Sequence, residues 1–112
     1  MKERNTYAQK AIFHAICNDI ARSGMKWAGK TRSAGIWKLL LISGHAIATE
    51  HETPETVEGF EGEAVTIRES WTTMSKERGS SLISYALAWC AENEIPLNDP
   101  KILAYKQFRE AS

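Results

Sequence analysis

The stretch MKWAGKTRSAGIWK, Met25 to Lys38, joins two segments of apolar periodicity. It holds the tryptophans Trp27 and Trp37, the glycines Gly29 and Gly35, the cations Lys26, Lys30, Arg32 and Lys38, and no acid; Arg22 stands just upstream. Trp and Lys/Arg interleaved with Gly make a flexible basic turn that can meet a nucleic-acid backbone and stack a base. The same residues also make a plain helix–helix connection, its tryptophans anchored in the core and its charges solvated. Composition leaves both readings open.

Upstream of this stretch, Ala8, Ile12, Ala15, Ile16 and Ile20 recur at three- and four-residue intervals, and Phe13 and Cys17 widen the stripe. This predicts an amphipathic helix from Thr6 to about Arg22, capped by Asn5 or Thr6 and ended at Ser23-Gly24. Downstream, Ser33 is placed to cap a second helix running to about Ala48. Ile36, Trp37, Leu40, Leu41, Gly44 and Ile47 form its expected inner face. Leu39 and Ile42 make it apolar nearly all round, so it is expected to be the central, most buried helix.

The following TEHETPETVEGFEGE is acidic and broken by Pro54, Gly59 and Gly62, which reads as a loop with turns. Glu63 to Ser70 alternates as a short strand, paired through a tight turn with Val57 to Phe60. Ser75 caps a third helix to about Asn93, stopped by Pro96. Asp99-Pro100 opens a last helix through about Phe108. The sum is one α+β domain spanning residues 1–112, mainly helical with about four helices and a small hairpin.

The net charge is zero, yet the signs are segregated. Residues 1–38 carry a net charge of plus six, and residues 39–63 carry six glutamates and no cation. Such a chain presents a polarised surface, unless the two segments fold against each other and cancel. No apolar run approaches membrane-spanning length, and MKERNTYAQK lacks the apolar centre of a signal peptide, which points to a cytoplasmic protein. Cys17 and Cys90 lie in expected helices without CxxC spacing and read as reduced core residues.

His45, Glu50, His51 and Glu52 are the only cluster resembling metal ligands, but their spacing matches neither HExxH nor the Cys/His patterns of structural zinc. No nucleophile elbow or Gly-rich phosphate loop is present. No catalytic residue, metal or cofactor is expected. A small metal-dependent nuclease using the histidine–glutamate cluster, or a non-catalytic protein that binds a host protein, are the alternatives to a nucleic-acid-binding role.

The order of residues adds to this. Gln9-Lys10, then Asn18-Asp19-Ile20-Ala21-Arg22, Trp27-Ala28-Gly29 and Trp37-Lys38, followed by Thr73-Met74, Leu82-Ile83, Glu92 to Ile95 and Asp99-Pro100, resembles the NinB/Orf family of phage recombination mediators over roughly residues 4–100. The resemblance implies an α+β homodimer that binds single-stranded DNA without marked sequence preference. It also implies contact with the host single-strand-binding protein and help in loading the recombinase. Family members carry additional strand-forming sequence before the first helix, and this sequence begins almost at that helix. On this reading the DNA-binding candidates are Lys10, Arg22, Lys26, Trp27, Lys30, Arg32 and Lys38, the cations neutralising phosphates and Trp27 stacking a base. Trp37, on an apolar helix face, is expected in the core. Leu39 and Ile42, on the periphery of the second helix, are expected to support the homodimer.

Overall fold

The computed structural model describes residues 6–49, 55–67, 71 and 74–111. Helix α1 spans Tyr7–Arg22 and opens with a capping box. Thr6 Oγ1 accepts from the Gln9 N–H at 3.0 Å while Gln9 Oε1 accepts from the Thr6 N–H at 3.0 Å, so two orphan donors of the first turn are satisfied reciprocally. Gln9 Nε2 also donates to the Lys76 carbonyl, pinning this turn to the start of a later helix. At the other end the Ser23 N–H closes on the Asp19 and Ile20 carbonyls, and Gly24 turns the chain away at φ +80°.

A two-residue hairpin follows, β1 (Lys26–Trp27) and β2 (Lys30–Thr31), then α2 (Ala34–Ala48), with Ser33 as its N-cap. An antiparallel pair, β3 (Glu55–Glu58) and β4 (Ala64–Ile67), precedes α3 (Lys76–Glu92) and α4 (Pro100–Ala111). The fold is α+β and mainly helical, four helices with two small antiparallel sheets.

Helix α1, and not α2, is the hub: it packs against α2, α3 and α4. Its Phe13, Ala15, Ile16, Cys17 and Ile20 are buried with Leu82, Ile83, Ala86 and Cys90 of α3 and Ile102 of α4. Phe13 lies flat on Trp71, ring centroids 5.1 Å apart and planes 5° from parallel. Burial pushes the thiols of Cys17 and Cys90 up to about 12, so both are inert core residues.

The inner face of α2 is rotated from the expected one. Trp37, Leu41, Ile42, His45 and Ala46 are buried, whereas Ile36 and Ile47 are exposed. A helix apolar nearly all round gives periodicity nothing to choose between, and the direction is set by where α1 and α3 lie. The homodimer argument accordingly loses Ile42, which is core, while Leu39 stays partly exposed.

Helix α3 ends on a Schellman motif. The Ile95 N–H donates to the Cys90 carbonyl and the Glu94 N–H to that of Ala91, with Glu94 left-handed at φ +55°. The helix has therefore closed before Pro96. Asp19 joins this connection to α1: buried, its Oδ2 accepts the Asn98 N–H at 2.9 Å and the Asp99 N–H at 3.2 Å.

In the β3–β4 hairpin Val57 pairs with Val65 and Glu55 with Ile67 across a turn closed by the Gly59 N–H on the Glu63 carbonyl. The strand expected from Glu63 to Ser70 is Ala64–Ile67 within the described residues, and its partner starts two residues earlier than expected. This hairpin packs chiefly on itself. Among the described residues none of the glutamates it carries (Glu55, Glu58, Glu61, Glu63) forms an ion pair with a cation of α1 or α2. No described helix is long and apolar enough to cross a membrane.

Candidate nucleic-acid interface

The stretch that reads either as a flexible basic turn or as a plain connection between helices is a closed hairpin. Lys26 pairs with Thr31 and Trp27 with Lys30, leaving Ala28 and Gly29 as the two-residue turn. Both turn residues are left-handed, φ +52° and +87°, as the primed turns of two-residue hairpins require. Ala28 is an unusual residue in that conformation, and Arg32 supplies the brace. Its Nε donates to the Trp27 carbonyl at 2.9 Å and its Nη2 to the Ala28 carbonyl at 3.4 Å. At the base, Met25 packs on the core and its N–H donates to Ser23 Oγ.

Directly paired residues of an antiparallel ladder present their side chains on the same face. Trp27 and Lys30 therefore stand side by side, and Lys26 and Thr31 face the other way. Trp27 is 47% exposed. Its other half lines a pocket of about 160 Å³ walled by Trp37, Leu40, Leu41 and Gly44 of α2 and Tyr85 and Trp89 of α3. Trp37 and Trp89 meet at 5.3 Å with planes tilted by 49°. Tyr85 stands edge-on to the His45 ring at 5.4 Å, and His45 Nε2 is hydrogen-bonded to Ser81 Oγ at 2.8 Å, so the Tyr85 wall is set by a polar link between α2 and α3. Gly44 lets Tyr85 come close, since a Cβ at that position would lie 2.7 Å from the Tyr85 hydroxyl and displace it.

On the α1 side of α2 the surface is basic. Lys10 and His14 are four residues apart on α1 and share a face with Lys38 reaching across from α2. Burial first, then the Lys38 and Lys10 ammonium groups, lower the His14 pKa from its ordinary value, which places the three groups in one positive field. The Lys38 charge also reaches Cys17, where it opposes the effect of burial.

A family model described as NinB protein matches residues 1–98. The chain belongs to the NinB family. Membership supports a phage protein of the recombination region. A solved structure described as a structural-genomics NinB protein superposes with a TM-score of 0.72 at 21% identity, over 98% of this chain and 74% of the other. That likeness is one of fold. No functionally curated protein matches the chain.

In this NinB chain the residues expected to meet DNA divide into groups. Trp27, Lys30 and Lys26 belong to the small hairpin, with Lys26 on its opposite face. Lys10 and Lys38 form the basic edge with His14. Arg32 is engaged in bracing the turn. Arg22, with a side chain 72% exposed, pairs with Oδ1 of the buried Asp19 at 3.3 Å, so its charge is partly engaged by the fold. Trp37 is buried, as expected. His14, Tyr85 and Trp89 were not among the expected residues. The four-residue spacing of Lys10 and His14 was the available signal for the first, and nothing in the sequence distinguishes the other two from ordinary core aromatics.

Of the histidine–glutamate cluster, His45 is buried between α2 and α3, and Glu50, His51 and Glu52 lie outside the described residues. Among the described residues no group of three metal-ligating side chains converges.

Proposed function

We propose that this chain binds single-stranded DNA and serves as a recombination mediator, assisting the loading of a recombinase onto DNA coated by the host single-strand-binding protein. It acts by binding, without a chemical step or a cofactor. The observation that carries the reading is the pair Trp27–Lys30: a half-exposed indole beside an exposed ammonium on a rigid, braced hairpin. Among the described residues no carboxylate pairs with Lys10, Lys26, Lys30 or Lys38. A cationic surface with an available aromatic face binds single strands through phosphate neutralisation and sequence-tolerant stacking. Duplex DNA keeps its bases stacked inside and offers the indole nothing.

The test is a fluorescence-anisotropy titration with single-stranded and duplex oligonucleotides of one sequence across a salt series. Preference for the single strand is expected, with log affinity falling linearly in log salt. Lys30→Ala should weaken binding to every sequence alike and lower the slope by about 0.7. Equal binding of duplex and single strand, or a slope unchanged by Lys30→Ala, refutes the reading. Labelled DNA should stay intact on long incubation with magnesium, manganese or zinc; cleavage would replace mediation with a nuclease.

We also propose a homodimer, since a chain of this size gains from association and Ile36, Leu39 and Ile47 of α2 remain partly or largely exposed. Sedimentation at micromolar concentration that finds only a 12.6 kDa species would remove it.

A further inference from the structure

We infer that the pocket between the β1–β2 hairpin, α2 and α3 takes up one unstacked nucleobase of the bound strand, with Trp27 as the stacking plate at its mouth and Lys30 on the adjoining phosphate. The inference rests on the single-strand reading and adds a defined seat for the base.

The walls are chosen for a flat, uncharged, aromatic guest. They comprise three indoles, a phenol, two leucines and the bare backbone of Gly44, and no charged side chain, so the phosphate itself is excluded from the interior. The polar side-chain groups in those walls are the indole N–H groups and the Tyr85 hydroxyl. An indole N–H only donates, and the ring nitrogens and carbonyls of a nucleobase are acceptors. One of these donors is already desolvated: Trp37 Nε1 is buried and has no acceptor among the described residues. A buried donor left without an acceptor costs free energy, and a base edge brings acceptors to a wall rich in donors.

Charge complementarity fixes the orientation. The ladder pairs Trp27 with Lys30 on one face of the hairpin, so the cation lies beside the plate and outside the pocket, where the backbone of an inserted nucleotide would leave. Arg32 holds the plate in place through the Trp27 carbonyl. The Tyr85 wall is held by Gly44 behind it and by the His45–Ser81 link, so the slot is formed before the strand arrives.

The experiment compares a single-stranded oligodeoxynucleotide with a strand of equal length whose sugars carry no bases, binding to the full chain. The base-bearing strand should bind about 5- to 100-fold more tightly, the range that base–aromatic stacking supplies, with the same salt slope for both. Leu40→Trp, which fills the slot from α2, should bring the base-bearing strand down toward the abasic one and leave the abasic strand unchanged. Gly44→Ala, which displaces the Tyr85 hydroxyl, should do the same more weakly and stands in if the larger residue lowers the melting temperature.

Equal affinity for the two strands, or a Leu40→Trp loss that is the same on both, overturns the pocket while leaving single-strand binding intact. If neither strand binds the unaltered chain, the single-strand reading fails. Nucleoside monophosphates then decide the pocket by themselves: quenching of tryptophan fluorescence that Leu40→Trp abolishes sustains it, and no quenching overturns it. Competition by an aromatic peptide, with base removal changing nothing, assigns the slot to a protein side chain and also overturns the proposal.

Discussion

Truncation of Trp27 to alanine separates its two possible roles by magnitude. A fully buried tryptophan costs about 3–5 kcal/mol when truncated, and Trp37, at 2% exposure, belongs in that class. Trp27 is 47% exposed. An aromatic of its size buries 150–250 Å² when fully enclosed, so about half of that is lost here, worth about 2–3 kcal/mol at 25 cal/mol per Å². For a domain of this length such a loss lowers the melting temperature by roughly 10 °C, which leaves the protein folded at room temperature. On DNA, removal of the stacking plate should cost about 1–3 kcal/mol, a loss of five- to more than a hundredfold in affinity. The slope of log affinity against log salt should not move, because stacking releases no counterion. Thermal melting and anisotropy titration on the same preparation read both quantities. Unchanged affinity of the folded fraction would refute the stacking role and leave Trp27 as the cover of the pocket. A fall in slope equal to that of Lys30→Ala would show that the truncation merely displaced the neighbouring lysine.

Two further outcomes follow from the same geometry. Because burial and the Lys38 and Lys10 charges depress the His14 pKa, the free folded protein resists protonation there; stability should be full above the ordinary value near 6.5 and decline as pH falls below it, while a bound phosphate reverses the bias, so single-strand affinity should rise between pH 7.5 and 5.5 and lose part of that rise in His14→Ala. Asp19→Ala removes the acceptor for the Asn98 and Asp99 amides at the entry to α4 and should lower stability by about 2–4 kcal/mol, read by denaturant unfolding, whereas Asp19→Asn, which keeps one acceptor oxygen, should cost about half as much; equal and negligible effects would show that water replaces the carboxylate there.

The ends of the helices were legible because their signals are local. Thr6, Ser33, Ser75 and Asp99-Pro100 each satisfy or dispense with backbone donors within one turn, so the residue types announce the boundary wherever the helix packs. What lay beyond one turn was not legible. The face of α2 could not be read from a helix carrying Ile36, Leu39, Leu40, Leu41, Ile42 and Ile47, since burial there is decided by neighbours and not by period. By sequence Asp19 is simply one of two acids, with Glu3, among residues 1–38. Its function as the acceptor for Asn98 and Asp99 depends on a contact across about eighty residues of chain.

The candidate site shows the same division. Its residue types are plain in Met25 to Lys38, where tryptophan, glycine and lysine stand together without an acid, a composition that suits a strand-binding turn and a plain connection alike. Its geometry was not visible, because two-residue strands are too short to alternate and Ala28 is not a residue that announces a left-handed turn. Arg32, five residues beyond Trp27, returns to brace the hairpin by donating to that residue's carbonyl. This changes how the stretch is to be understood. A loose basic loop would have to lose conformational freedom on meeting a strand, and its tryptophan would contribute less to binding for that reason. A braced hairpin has already lost it in folding. The position of Trp27 over Trp37, Tyr85 and Trp89, with Lys30 beside it, is thus a property of the unbound fold, and Arg32 braces it there.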